Sequence, residues 1–317
     1  MSVEIVKYNP DFKTIWNDFV ESSKNGTFLF NRDYMDYHSD RYQDNSYLFF
    51  NKGKPYCLFP ACRILETLSS HAGLTYAGLV MNNSCITTGI MDVFELLVNT
   101  AKKEGFKELI YKPVPYIYHD YPADEDLYAL FRLNAKLISR NISSTINLSN
   151  PFKPRKDRKE GGKKAFRNDV FVKESKDFQT FWKILKDNLR DTYGAEPVHS
   201  FHEFSKLVIA FPDNIKLWAA FNKGGEMIGG VVCYYTKYVV HTQYISANAE
   251  GKKCGAIDSI ILQLIREKIP EEDGDYKYFD LGTSNLDGGL YLNESLIYQK
   301  EGFGGRGVCY DGYSVSL

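Results

Sequence analysis

The stretch Val6-Lys-Tyr-Asn-Pro-Asp-Phe-Lys-Thr-Ile-Trp16 returns 166 positions later as Val172-Lys-Glu-Ser-Lys-Asp-Phe-Gln-Thr-Phe-Trp182, with six residues kept at the same places. Two shorter echoes hold nearly the same offset. Phe50-Asn-Lys-Gly53 matches Phe221-Asn-Lys-Gly224 at 171 residues, and Gly89-Ile-Met-Asp92 matches Gly255-Ala-Ile-Asp258 at 166. One such match is weak, but three in order and in register describe a duplication. The chain is therefore expected to be two copies of one fold.

Its 317 residues suit two units of about 150 residues, each able to bury its own core. The expected domains are 1–150 and 151–317, the second opening with a basic stretch at 151–167. Lys plus Arg number 39 against 40 Asp plus Glu, a net charge of −1. No global excess of charge points to a nucleic acid or a membrane, so any such surface must be local. Six cysteines (57, 62, 85, 233, 254 and 309) show no CxxC pair, and several sit in apolar runs. Reduced, mostly buried thiols and a cytoplasmic location are the expectation. The N-terminal residues lack the basic and apolar regions of a secretory signal, and no window approaches the length of a membrane span.

Each copy reads as a short strand followed by a helix. Phe12, Ile15, Trp16 and Phe19, and again Phe178, Phe181, Trp182 and Leu185, have the i, i+3, i+4, i+7 spacing of an amphipathic helix. A second helix is expected over 31–42 in the first copy and 199–210 in the second. A hairpin turning at the Asn-Lys-Gly motif follows, because Asn and Gly tolerate positive φ. Then come a strand, a loop, a helix and a further strand, helix and strand. The order β, α, α, β, β, β, α, β, α, β written twice implies an α/β (α+β) class with a mixed, largely antiparallel central sheet in each domain. The joining segment 151–167 carries eight basic residues against two acidic ones. It reads either as a solvated linker entering a helix or as a cationic strip that holds phosphates of a substrate.

Tyr278-Phe-Asp-Leu-Gly-Thr-Ser284, followed by Tyr298-Gln-Lys-Glu-Gly-Phe-Gly-Gly305, and the basic run with Arg155, Arg158, Lys163 and Lys164 carry a resemblance. Together with the duplicated element order they resemble the Fem-type (FemABX) aminoacyltransferases and the wider tandem GNAT-like acyltransferases. Leu281 stands where that family often has Phe, and Gln299-Lys300 where an aromatic-Lys pair is usual. The resemblance implies transfer of an acyl group to an amine, from acyl-CoA or, in the Fem branch, from aminoacyl-tRNA. GNAT enzymes hold the CoA pyrophosphate on a glycine-rich loop opening a helix. Here that loop is Glu250-Gly-Lys-Lys-Cys-Gly-Ala256, which keeps only its last glycine, so Lys252, Lys253, Gly255 and Ala256 are the candidate donor-binding residues. The matching loop of the first copy, Asn82 to Gly89, keeps still less and is expected to bind no cofactor.

Acyl transfer to an amine needs a base, a stabilised oxyanion and a protonated leaving group, and no nucleophile on the enzyme. Three side chains are candidates. Asp280 ends an apolar strand just before Gly282, and either orients the amine or caps a turn. His241 lies on the strand before it, as a base or as a structural histidine; its odd spacing from Tyr244 places the two on opposite faces. Lys300 precedes a glycine-rich turn, and either neutralises an oxyanion or phosphate or snorkels at the surface. Tyr298 and, on one expected helical face of the first copy, Tyr34, His38 and Arg41 are candidates for acceptor recognition. His199 and His202 lack a third partner at ligand spacing, so no metal is expected. The main reading is an N-acyltransferase acting on an amine of a cell-envelope, sugar or peptide precursor, with acyl-CoA as donor and aminoacyl-tRNA less favoured by the balanced charge. The alternative is a non-catalytic glycan- or peptide-binding module on an inactive pair of GNAT-like domains.

Overall fold

The computed structural model describes residues 3–197 and 200–317. The first copy begins with β1 (Val3–Lys7), α1 (Lys13–Ser22) and the short α2 (Arg32–Met35). After β2 (Gln43–Asp44) comes the expected hairpin of β3 (Tyr47–Asn51) and β4 (Lys54–Phe59), whose turn residues Lys52 and Gly53 both have positive φ. A second hairpin, β5 (Ala61–Ile64) and β6 (Thr67–Ser70), follows and has no counterpart in the expected order. The copy then runs through β7 (Val80–Met81), α3 (Thr87–Lys103), β8 (Glu108–Tyr111), α4 (Glu125–Arg132) and β9 (Lys136–Asn147).

The second copy follows the expected order closely. After α5 (Lys156–Arg167) come β10 (Phe171–Ser175), α6 (Phe178–Tyr193), α7 (Phe201–Ala210), β11 (Ile215–Phe221), β12 (Met227–Tyr235) and β13 (Val239–Ala247). Next are α8 (Ala249–Cys254), α9 (Ala256–Gln263), α10 (Ile269–Glu271) and β14 (Tyr278–Thr283). A small ribbon of β15 (Asn285–Leu286) and β16 (Tyr291–Leu292) leads to α11 (Glu294–Glu301) and β17 (Arg306–Ser316).

The chain divides into two compact units. The first comprises the chain through Ile142 with 285–291 and 309–317, and the second comprises 143–284 with 292–308. The division therefore falls inside β9 rather than at 150, and the C-terminal residues belong with the first copy, where β17 pairs antiparallel with β8. The basic composition of 151–167 marked a change of character but not the end of the strand that precedes it. The same basic segment is the helix α5 rather than a bare linker. Gly161 and Gly162 let it approach α9 closely: a Cβ at either would strike Asp258 or Leu262.

Each unit has its own core. In the first unit β1, β3, β4 and β7 form one sheet, and β8 lies in another between β6 and the C-terminal strand. Phe49, Phe59, Phe94, Leu97 and Tyr111 pack between strands and α3. In the second unit the strand order is β10-β11-β12-β13-β14-β9, with β13 and β14 parallel and the other neighbours antiparallel. Val231, Cys233, Val240, Phe279 and α9 residues such as Ile260 fill one side of that sheet. The repeated tryptophans anchor the equivalent helices. Trp16 donates from Nε1 to the Phe30 carbonyl at 2.7 Å, and Trp182 stacks on Phe204 with ring centres 4.6 Å apart. Both are buried.

The expected helix over 31–42 is not continuous. α2 ends at Met35, a 3-10 turn covers Asp36–His38, and Arg41 follows beyond it. Buried Arg32 dominates this region, pairing with Asp36 and Asp44 while its guanidinium sits 3.7 Å from the centre of the Tyr8 ring. The short turn follows from that pairing, which gathers the chain around one cation instead of extending it as a helix.

Candidate functional site

Two irregularities in the second unit bring its polar groups together. In β13 the register slips, so that Val232 faces Tyr244 while Cys233 faces Thr242. Gln243 is left as a bulge residue, and the alternation of faces is reset. His241, opposite Tyr234, and Tyr244, opposite Val232, therefore share a face, contrary to the spacing argument from sequence. Tyr244 packs on Trp182 and Phe204, leaving His241 as the polar member of that face. In β14 a second slip falls between Asp280 and Thr283, at Gly282, whose φ of 77° suits glycine.

Asp280 is fully buried. His241 Nδ1 lies 2.8 Å from its Oδ2, Thr145 Oγ1 donates to Oδ1 at 2.7 Å, and Ser143 Oγ donates to the same oxygen. Burial alone raises such a carboxyl, but the His241 hydrogen bond and charge, with the two hydroxyls, outweigh it and hold Asp280 below its ordinary pKa. An ionised Asp280 accepts only, so His241 Nδ1 is the donor in this pair. The imidazole side chain is 17% exposed, enough for a substrate to reach it.

Lys300, 8% exposed, approaches from α11. Its Nζ donates to the carbonyls of Gly282 at 2.9 Å and Thr283 at 2.7 Å, leaving one proton for a third acceptor. Burial pushes its pKa down to about 8, with the Asp280 charge acting the other way. Arg155 holds that helix end in place. Its guanidinium lies 3.5 Å over the Tyr298 ring, and its backbone N–H donates to the Gly302 carbonyl at 2.8 Å. Around Gly282 the groups converge: a Cβ placed there would sit 3.5 Å from His241 Cε1, 3.8 Å from the Thr242 carbonyl oxygen and 3.9 Å from Lys300 Nζ. An imidazole and an ammonium thus meet on either side of one glycine.

The Lys300 ammonium makes a testable contribution to stability. Its folded pKa lies below its ordinary value, so between about pH 8 and 10.5 the unfolded chain binds the proton and the folded chain does not. Stability of the wild type relative to Lys300→Met is expected to rise across that window by about 3 kcal/mol, at roughly 1.4 kcal/mol per pH unit. Urea midpoints measured at several pH values check this, and a flat difference would mean that Lys300 is not held charged at a cost.

The sequence candidates fare differently. Asp280, His241 and Lys300 come together, with Tyr298, 62% exposed, two residues from Lys300 and beneath Arg155. The expected loop through Gly255 is instead α8, because Asn248 caps a helix there by accepting from Gly251 N at 2.8 Å. Gly255 lies against the Gly161 carbonyl and Ala256 is in the core. Lys252 pairs with Asn188 beside a cleft of about 440 Å³ that is also lined by Asp187 and Asp191, and Lys253 is exposed. Glu250 adds a further negative charge to the first turn of α8. Tyr34 is buried against Phe28, Arg41 is exposed beside Asp40, and the His38 side chain and His199 lie outside the described residues. Sequence reasoning passed over Ser143 and Thr145; their two-residue spacing, which puts both on one face of a strand, was the available signal. Among the described residues no group of three His, Cys, Asp or Glu is placed to hold a metal ion, and no helix is long and apolar enough to cross a membrane.

In the first unit the region matching Asp280 is filled differently. Tyr111 donates to Asp126 Oδ2 at 2.6 Å and accepts from Leu79 N at 2.6 Å, and a Cβ at Gly78 would lie 2.9 Å from its oxygen. All of Tyr111 is buried.

No protein-family model matches the sequence, and no curated protein matches it. Solved structures do match its fold. A crystal structure of FemX aligns with a TM-score of 0.70 at 11% identity, covering 99% of this chain and 97% of that one. L-PGS from Bacillus licheniformis aligns at 0.62 and 10% identity, covering 96% and 91%. A tandem GNAT protein from the clavulanic acid biosynthesis pathway aligns at 0.51 and 9% identity, covering 99% and 98%. At these identities the likeness is one of fold alone, the fold that FemX and the tandem GNAT protein share with this chain.

Proposed function

We propose that the protein is an N-acyltransferase whose second unit carries the reacting centre at Gly282. The observation that carries this reading is the Asp280–His241 pair converging with Lys300 on Gly282. An amine enters beside His241 and attacks the acyl carbonyl carbon. As the C–N bond forms, His241 Nε2 takes the proton from nitrogen, and buried Asp280 stabilises the resulting imidazolium. The third Lys300 proton faces the oxyanion of the tetrahedral adduct. Collapse breaks the bond to the carrier, whose leaving oxygen or sulfur receives the proton from His241. The hydroxyls of Ser143 and Thr145 act through Asp280 as positioning groups.

The donor is an activated acyl ester or thioester. Two observations favour a carrier other than CoA. The N-terminus of α8 is already capped by Asn248 and followed by Glu250, and the neighbouring cleft balances Lys183 and Lys252 with Asp187 and Asp191, so it offers a diphosphate no net positive charge. An aminoacyl-tRNA is the donor class that remains from the sequence reading, with an amine of a cell-envelope, sugar or peptide precursor as acceptor. The first unit, filled by Tyr111, is read as the non-reacting copy. A non-catalytic binding module has no comparable observation in its favour.

The test is a donor panel of acetyl-CoA, longer acyl-CoAs and charged tRNAs, incubated with mixed primary amines. Amine-dependent consumption of one donor class is expected, and His241→Gln lowers it by at least about 100-fold. Equal consumption by the wild type and His241→Gln would remove the imidazole from the reaction; loss of donor without any amide product would sink the reading as a whole.

A further inference from the structure

We propose that the outward face of α5, with the start of β10, is a docking surface for an anionic lipid bilayer. The chain as a whole is almost uncharged, so any attraction to a polyanion must come from one face. On α5 the inward residues are spent on packing. Arg158 pairs with Asp258 at 2.8 Å and Ala165 is buried against the second core, while exposed Asp157 is neutralised by Arg155 and Arg158. The outward residues Lys156, Lys159, Lys164 and Arg167 have no ion-pair partner among the described residues, and Lys163 is shared with Glu160. Across a groove of about 330 Å³, Arg266 of the following helical turn adds a further cation; Lys159, Lys163, Phe166, Val170 and Leu262 complete most of the lining. The opposing charges on this face are Glu160, Glu267 and Asp169, fewer than the cations.

The aromatic content distinguishes a bilayer from other polyanions. Phe166 is 82% exposed at the end of the cationic stripe, and Phe171, a turn later, is also exposed, stacked on Phe221 with Lys173 over the rings. A twelve-residue helix lying flat, with Lys and Arg along its length and a large apolar ring projecting at one end, is the form that rests in a headgroup layer. A single-stranded nucleic acid would call for a run of ring faces along a groove, whereas this groove is lined by one ring, Phe166, and Phe171 is already stacked on Phe221. This inference does not rest on the acyl-transfer reading.

The test is co-sedimentation of the full chain with vesicles of phosphatidylcholine alone and of phosphatidylcholine mixed with phosphatidylglycerol. Binding to the mixed vesicles only, weakening as salt rises, is expected. Each cation removed should lower the partition about fivefold, so Lys164→Ala with Arg167→Ala lowers it at least tenfold, and Phe166→Ser lowers it further. These side chains are exposed, so circular dichroism should be unchanged. Absence of binding, equal binding to both vesicles, or an unaffected double variant would overturn the proposal. Tighter binding to a short single-stranded RNA at equal phosphate concentration, lost in the same double variant, would also overturn it and assign the face to nucleic acid.

Discussion

Asp280→Ala is expected to lose both turnover and a large part of the stability of the second unit. The substitution leaves the His241 Nδ1–H and the hydroxyls of Ser143 and Thr145 buried with no acceptor. Each buried donor left without its acceptor costs roughly 1–3 kcal/mol. The sign of the pH dependence follows from the direction of the Asp280 shift. Its folded pKa lies below the ordinary value, so the contribution is present above about pH 4 and is lost as pH falls further. Wild type and variant should therefore converge in acid, as measured by urea midpoints at pH 7 and pH 3. Asp280→Asn keeps the shape but offers an amide donor where an acceptor is needed. It should lower turnover by about 10²- to 10⁴-fold while costing less stability. A variant with normal turnover would show that His241 does not depend on this carboxylate.

The second large effect belongs to the first unit. Burial pushes the carboxyl of Asp126 up to about 7, although the Tyr111 hydroxyl and the Leu127 N–H donate to it. The raised pKa reverses the sign found for Asp280. Between about pH 4 and 7 the folded chain holds a proton that the unfolded chain has lost, so stability falls as pH rises through that interval. Relative to Asp126→Asn, the wild type should lose about 4 kcal/mol between pH 4 and pH 8. Asparagine has one oxygen for two donors, so it starts at a disadvantage of roughly 1–3 kcal/mol in acid. The order of stability should then cross, with the variant ahead at pH 8. Thermal or urea midpoints at the two pH values decide it, and parallel curves would mean that Asp126 is ionised at neutral pH.

The duplication was legible because burial preserves pattern. Trp16 and Trp182 anchor equivalent helices, so their spacing survived, as did the Asn-Lys-Gly turns, which take positive φ at Lys52 and Gly53 in the first copy and at Gly225 in the second. The polar centre was legible in part. Asp280 and Lys300 stand beside glycines, where local sequence is restrictive, but the partners of Asp280 come from β9, more than 130 residues away. A bulge such as that at Gln243 has no local signature, so the facing of His241 was misread by one residue of register. Gly255 was misread for another reason: glycine serves a phosphate and a close-packed carbonyl equally well, and here Gly161 of α5 takes the space.

The return of residues 309–317 to the first unit sets a limit on the order of assembly. During synthesis the first copy emerges early, yet β8 stays without its neighbour β17 until the whole second copy has been made. Until then one edge of that sheet carries unpaired N–H and C=O groups, a template for pairing with the wrong chain. The first copy is complete only once the second has been made, so the duplication did not leave two separable parts.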